Sequence, residues 1–90
     1  MSIVGVKIKI MPSSPKDNLE EIKNKVKTLV EQKGGKNREY LEEPIAFGLK
    51  AIIAFFEWPE EKELGELEEK IKKIKNVNSE QVIDMRRLVG

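Results

Sequence analysis

The amino-acid sequence predicts an α+β fold of the ferredoxin-like type, a four-stranded antiparallel sheet with two helices on one face. Four segments have the patterns of strands, apolar residues recur at helical spacing in two others, and these segments follow one another in the order β-α-β-β-α-β. A chain of 90 residues has the length of one domain, so we expect a single domain over residues 1–90.

A change of period separates the first strand from the first helix. Residues 3–11 alternate and predict a strand with one buried face, formed by Val4, Val6, Ile8 and Ile10. From Lys16 to Lys33, apolar residues recur every three or four positions and predict an amphipathic helix. We expect Ser13-Ser14-Pro15 to supply its N-cap and Gly34-Gly35 to end it.

The middle of the chain predicts an edge strand and a central strand. Asn37 to Glu43 is rich in charged residues and is followed by a proline, as is typical of a sheet edge. Leu49 to Trp58 is apolar on both faces, so we expect it to lie at the centre beside the first strand. Its outer face should then carry an apolar strip that the helices do not cover.

The last third of the chain predicts the second helix and the fourth strand. Glu60 to Lys75 has glutamates and lysines at i,i+4 spacing, and it includes a glycine at position 65. Its buried stripe is predicted to consist of Leu64, Leu67, Ile71 and Ile74. Glu80 to Leu88 alternates imperfectly, which predicts a strand with a bulge.

Composition narrows the range of functions. The chain has no cysteine and no histidine, so it lacks thiolate nucleophiles, cysteine-ligated metals and the commonest general base. Seventeen basic and sixteen acidic residues give a net charge of +1, which does not favour nucleic acid. The apolar run at residues 49–56 is too short to span a bilayer. We expect a cytoplasmic binding protein with no catalytic residues, cofactor or metal, and no direct contact with nucleic acid or membrane.

The hairpin between the second and third strands is unusual because apolar residues occupy its tip. Ile45 and Phe47 lie between a rigid proline, Pro44, and a permissive glycine, Gly48, where hairpins usually carry polar residues. Phe47 either folds back over the end of the sheet or is an exposed aromatic anchor of the kind that dominates protein interfaces. The pattern leaves both interpretations open.

The hairpin and the C-terminal segment also carry a resemblance to a known family. The runs PIAFGLKA (residues 44–51) and IDMRRL (residues 83–88), with the apolar strand and acidic helix between them, resemble the guanine-nucleotide exchange domain of translation elongation factor 1-beta in its compact archaeal form. The resemblance covers essentially the whole chain. It implies the same ferredoxin-like fold.

The resemblance implies a role in protein biosynthesis. The expected partner is elongation factor 1-alpha in its GDP-bound and nucleotide-free forms, from which GDP is released so that GTP can bind before aminoacyl-tRNA delivery. The hairpin aromatic, here Phe47, is implied to contact the partner's nucleotide-binding domain. Where eukaryotic members direct a lysine towards the magnesium site, this chain has Arg87 or, one position earlier, Arg86. The implied partner-binding residues are Pro44, Ile45, Phe47, Lys50, Arg86 and Arg87.

Two alternatives accompany this interpretation. RNA-recognition domains share the element order, so an RNA- or small-ligand-binding module is the alternative function, with Phe55, Phe56 or Trp58 as its platform. The apolar outer face of the third strand is either a partner-binding surface or a dimer contact.

Overall fold

The computed structural model describes residues 2–89, apart from the side chain of Val89. Its elements are, in chain order, β1 (Ile3–Pro12), α1 (Leu19–Gln32), β2 (Lys36–Pro44), β3 (Lys50–Pro59), α2 (Gly65–Lys72) and β4 (Val77–Val89). The strands form one antiparallel sheet in the order β2-β3-β1-β4. The predicted element order and the central position of β1 and β3 are confirmed. Met1 and Gly90, the ends of the predicted domain, lie outside the described residues.

The alternating residues of β1 and β3 build the core. Val6 opposes Phe56 and Ile8 opposes Ala54, and all of these side chains are fully buried. The helices cover this face with the buried residues Ile22, Val26, Val30, Leu67 and Ile71. Both helices therefore pack on one face of the sheet, as predicted, and the other face is open.

α1 begins later than the sequence predicts. Its N-cap is Asn18, whose Oδ1 accepts a hydrogen bond from the backbone N–H of Glu21 at 3.1 Å. The backbone N–H of Ser14 instead donates to Asp17 Oδ2 at 2.8 Å, which closes a separate turn before the helix. The N-cap predicted in the serine–serine–proline segment is therefore wrong. The predicted helix stop is confirmed, since Gly34 has a φ of +92°.

α2 is shorter than predicted. It spans Gly65–Lys72 rather than residues 60–75, because the preceding residues form a turn fastened to the sheet. The indole N–H of Trp58 donates to the carbonyl of Lys62 at 3.1 Å, and the N–H of Lys62 donates to the carbonyl of Pro59 at 3.1 Å. Neither helix of residues 2–89 has the length and apolar character needed to cross a membrane.

β4 is longer than predicted and is bulged. Its register against β1 shifts in three places, at Ile3/Val4, Lys7/Ile8 and Met11/Pro12, so the predicted bulge is confirmed. Within residues 2–89, no glutamate and lysine at i,i+4 spacing in α2 come within the 4.0 Å of an ion pair. Lys72 Nζ instead lies 3.9 Å from carboxylate oxygens of Glu69, at i,i+3 spacing, and of Glu80 in β4.

Candidate functional site

The β2–β3 hairpin ends in a tight left-handed turn. The N–H of Leu49 donates to the carbonyl of Ala46 at 2.9 Å, and the N–H of Ile45 donates to the carbonyl of Leu49 at 2.9 Å. Between them, Phe47 has a φ of +55° and Gly48 a φ of +79°. Positive φ at both central residues is characteristic of a type I′ turn, whose twist matches that of the flanking strands.

Phe47 combines an exposed ring with a strained backbone. The residue is 95% exposed, so the interpretation that it folds back over the end of the sheet is wrong. A bulky residue at positive φ is uncommon because its Cβ crowds the neighbouring carbonyl oxygen. Packing against residues 2–89 does not account for such an exposed residue, and backbone strain of this kind concentrates at functional sites.

Contacts with α1 and with the loop before it hold the hairpin in place. Lys23 Nζ donates to Glu42 Oε2 at 2.8 Å and to Glu20 Oε2 at 2.9 Å. These carboxylates raise the pKa of Lys23, and Lys23 lowers the pKa of Glu42. A Cβ added at Gly48 would lie 3.6 Å from the Cβ of Pro15, so the turn lies against the β1–α1 loop. The hairpin is therefore braced along one side.

The other hairpin residues predicted to bind a partner lie beside Phe47. Pro44 opposes Lys50 at the base of the hairpin. Ile45 is 41% exposed, and the side chain of Lys50 is exposed as well. We call the surface formed by Pro44, Ile45, Phe47 and Lys50 the tip. It presents a ring and an aliphatic side chain beside a cation.

The predicted arginines lie at the opposite end of the sheet. Arg87 opposes Val4 of β1, and Val4 in turn opposes Trp58 near the end of β3. β3 runs to Trp58 from Lys50 at the tip, and at about 3.3 Å per residue these ends are about 26 Å apart. The structure therefore brings the hairpin residues together but does not bring Arg86 and Arg87 to them.

Both arginines form ion pairs. Arg87 Nη2 donates to Glu60 Oε2 at 2.7 Å, and Arg86 Nε donates to Asp84 Oδ2 at 3.2 Å. Glu60 raises the pKa of Arg87, and Arg87 lowers the pKa of Glu60. The backbone N–H of Glu60 donates to the carbonyl of Ser2 at 3.0 Å, which fastens this end of the loop to the chain before β1. Exposed ion pairs contribute little to stability, so a stronger acceptor on a partner can draw either arginine away.

The open face of the sheet is a third candidate surface. Phe55 and Ile53 of β3 lie there beside Leu41 and Leu88, around a shallow cavity of about 270 Å³. Lys7 Nζ lies 5.6 Å from the centre of the Phe55 ring. The apolar strip expected on the uncovered face is present.

The aromatic platform proposed for the alternative function is largely buried. Phe56 is 0% exposed and Trp58 is 2% exposed beneath the helices, so neither can stack a base. Their positions in β3 point towards the core, and only Phe55 faces the open side. The platform prediction is wrong for Phe56 and Trp58.

The side chains of the three candidate surfaces can bind a partner by burying apolar area and by pairing charges. Within residues 2–89, no cluster of three or more acidic side chains is arranged to hold a metal ion. The sequence pattern does not identify Glu60 as the partner of Arg87, because it predicts that Glu60 lies in a helix. Gly65, at which α2 begins, is the feature of the sequence that indicates a later start of this helix.

Comparisons with known proteins identify relatives over nearly the whole chain. Residues 5–88 match the family described as the EF-1 guanine nucleotide exchange domain. A protein named elongation factor 1-beta from Methanococcus maripaludis is 40% identical over 87 residues, which cover 94% of this chain and 97% of that protein. A protein of the same name from Methanosarcina acetivorans is 39% identical over 89 residues, covering 98% of this chain and 100% of that protein.

A solved structure supports the fold. The ACT domain from the GTP pyrophosphokinase of Chlorobium tepidum superposes with a TM-score of 0.64 and covers 92% of this chain and 100% of that chain. Its sequence identity of 13% means that the likeness concerns the fold alone. The predicted ferredoxin-like architecture is confirmed.

Proposed function

The chain belongs to the EF-1 guanine nucleotide exchange domain family, and on that premise we propose how it acts on elongation factor 1-alpha. It is a guanine nucleotide exchange factor, which promotes replacement of a bound nucleotide rather than a chemical reaction in the usual sense. In our proposal it binds the GDP-bound partner in the cytoplasm, releases GDP and leaves the nucleotide-free form ready for GTP. One domain over residues 1–90 carries this activity.

The thermodynamics of exchange sets what the surface must achieve. An exchange factor binds the nucleotide-free partner more tightly than the GDP-bound partner, and it leaves the equilibrium between GDP and GTP binding unchanged. By reciprocity, GDP weakens the partner's affinity for the factor by the same ratio. Accelerating GDP release about a thousandfold requires about 4 kcal/mol of transition-state stabilisation.

The observation that carries the proposed site is the 95% exposure of Phe47 on a turn with strained backbone. An aromatic anchor buried in an interface contributes about 2 kcal/mol or more, which is a large share of the required stabilisation. Because the ring is exposed in the free factor, the free energy of burying it is available to the complex. Pro44 and Ile45 would pack around the ring, and Lys50 would face an acidic group of the partner.

We propose Arg87 as the second contact, with Arg86 next in order. Arg87 would leave Glu60 for acidic groups near the partner's magnesium site, where its guanidinium would keep the cation but occupy more space than an ammonium group. Because the tip and the arginines lie at opposite ends of the sheet, about 26 Å apart along the strand direction, they would contact separate regions of the partner. The factor would then lie along the GTPase rather than insert one point into it.

No observation favours the RNA-binding alternative, since most of its aromatic platform is buried.

For a dimer, we propose the open face as the contact, because Leu41 and Leu88 are 52% and 44% exposed there. A molecular mass measured by light scattering over a range of concentrations distinguishes a dimer from a monomer.

Release of fluorescent GDP from elongation factor 1-alpha, in excess unlabelled GTP, tests the proposed function. Wild-type factor should accelerate the loss of fluorescence, and Phe47→Ala should reduce that acceleration about 30-fold, the equivalent of about 2 kcal/mol. Ile83→Ala is the matched control, because Ile83 is a 45% exposed apolar residue on the opposite edge strand. No acceleration by the wild type would refute the function, and equal losses in both variants would refute the role of Phe47.

A further inference from the structure

A groove of about 610 Å³ lies between the two helices, on the side of the molecule away from the sheet. Leu29 of α1 and Ile74, which follows α2, contribute its apolar surface, and both are half-buried against the core. The groove opens to solvent. None of the residues proposed to contact elongation factor 1-alpha lines it.

Lysines dominate the charge around this groove. Lys25 of α1 lines it together with Lys70 and Lys73 from the C-terminal end of α2. Glu21 is the one acidic lining residue, and its Oε1 lies 3.5 Å from Lys25 Nζ. Lys70 and Lys73 form no ion pair within the part of the chain that the structure describes. The whole chain has a net charge of only +1, so the cationic excess is local.

The requirements of the fold do not explain this arrangement. The helix dipole favours lysine in the last turn of α2, but it does not favour one face over another. Lys72 turns towards Glu69, whose carboxylate compensates its charge. Lys70 and Lys73 instead line the groove with α1, which presents Lys25 and its ion-pair partner Glu21, so the lining keeps an excess of cations. If the two helices met here for packing alone, we would expect opposite charges to face each other across the groove, because like charges at close range are destabilising.

We propose that this groove, the helix groove, binds an acidic amphipathic helix of a second protein, which carries apolar side chains on one face and carboxylates beside them. Leu29 and Ile74 would receive the apolar side chains, and the surrounding lysines would pair with the carboxylates. The volume falls within the range of about 300–1,000 Å³ that is usual for ligand sites. An open groove between two helices suits a peptide segment, which can lie along it and place several side chains in turn.

The lining favours a protein segment over nucleic acid. No aromatic side chain and no arginine lines the helix groove, so bases would find no stacking surface there. The apolar residues of the groove would find no apolar surface to pack against on a phosphate backbone, but they can pack against aliphatic side chains. Single-stranded RNA is therefore the competing ligand in the test.

The test uses the full chain and a fluorescein-labelled peptide of about three helical turns, built from glutamate and leucine at helical spacing. Fluorescence anisotropy should show saturable binding that weakens as salt is added. Replacing both Lys70→Glu and Lys73→Glu should weaken binding at least about tenfold. The matched control, Lys16→Glu with Lys36→Glu, makes the same change of net charge at exposed positions outside the groove and should leave binding unchanged.

Two further arms make the outcome decisive. Peptides in which glutamine replaces glutamate, or serine replaces leucine, should each lose binding, and Leu29→Ala should weaken it while the circular dichroism spectrum stays that of the wild type. Equal weakening by both double variants, retained binding of the serine peptide, or displacement of the peptide by single-stranded RNA would overturn the proposal.

Exchange activity separates this proposal from the proposed function. The Lys70→Glu, Lys73→Glu variant should accelerate GDP release from elongation factor 1-alpha within about twofold of wild type, because the helix groove contains neither the tip nor the arginines. A larger loss would place the groove in the GTPase interface and would overturn its assignment to a second protein.

Discussion

Two phenylalanines in neighbouring parts of the chain have opposite relations to the fold. Phe56 of β3 is fully buried, opposes Val6 and meets Trp58 edge-on, with ring centres 5.9 Å apart. Phe47 at the tip is 95% exposed on a backbone with a φ of +55°. Phe56 stabilises the sheet, whereas Phe47 adds backbone strain and buries almost none of its own surface. A residue that the fold does not need, held in a conformation that the fold disfavours, is explained by contact with a partner.

Truncating each ring tests this comparison most strongly. Phe56→Ala should lower the free energy of unfolding by about 3–5 kcal/mol, because it leaves a large cavity in a thin core. Phe47→Ala should change it by less than about 0.5 kcal/mol, because the ring is exposed. Urea denaturation measures both values. A comparable loss of stability in the two variants would show that the tip is part of the folded core.

The covered side of the sheet contains an exception to its apolar character. The side chain of Glu80 is 2% exposed, and its Oε2 has no hydrogen-bond partner within residues 2–89. Burial and the nearby carboxylate of Glu68 raise the pKa of Glu80 to about 7, with Glu69 adding to the rise and Lys72 opposing it. Below about pH 7, the neutral carboxyl is therefore the form that predominates in the folded chain.

This shift predicts a pH dependence of stability. The neutral carboxyl of Glu80 contributes to the free energy of unfolding. This contribution is fully present below the ordinary pKa of glutamate, and it is lost as pH rises through about 7. Glu80→Gln stays neutral, so at about pH 8 it should raise the free energy of unfolding by on the order of 1–2 kcal/mol, allowing for screening by water and Lys72. At about pH 4 it should change little. Glu61→Gln, at an exposed position, is the control, and an equal gain at both pH values would contradict the assignment.

The contrast between core and tip also explains what the sequence could predict. Element order and the buried stripes follow from local periods, which a strand or helix of any fold must show. The start of α2 depends on the Trp58–Lys62 hydrogen bond, a contact that no local period records. The direction of Phe47 depends on the sign of φ in one turn, and a following glycine is compatible with either direction. Arg87 lies far from the tip because of the antiparallel strand order alone. β4 ends at the end of the sheet that is away from the β2–β3 hairpin.

Relieving the strain at the tip should separate stability from function. Asparagine tolerates positive φ better than phenylalanine, so Phe47→Asn should raise the free energy of unfolding by about 0.5–1 kcal/mol. It removes the ring, so it should lose as much exchange activity as Phe47→Ala. Thermal unfolding and GDP release, measured on the same preparation, check both expectations. A variant that is more stable and equally active would show that the turn, and not the ring, is what the partner recognises.

The smallest effect is expected at the end of the sheet opposite the tip, where Arg87 already has an acidic partner. Arg87→Ala should slow exchange only about threefold, since the gain from a partner's acidic group is offset by the loss of the Glu60 pair. Glu60→Gln distinguishes a contact from a structural tie, because it removes that competitor and leaves the guanidinium in place. Exchange should then equal or exceed that of the wild type, and Arg87→Lys should restore part of the activity lost in Arg87→Ala. If Glu60→Gln and Arg87→Ala slowed exchange equally, the ion pair would serve only to fasten the loop to β4, and the tip alone would act on the GTPase.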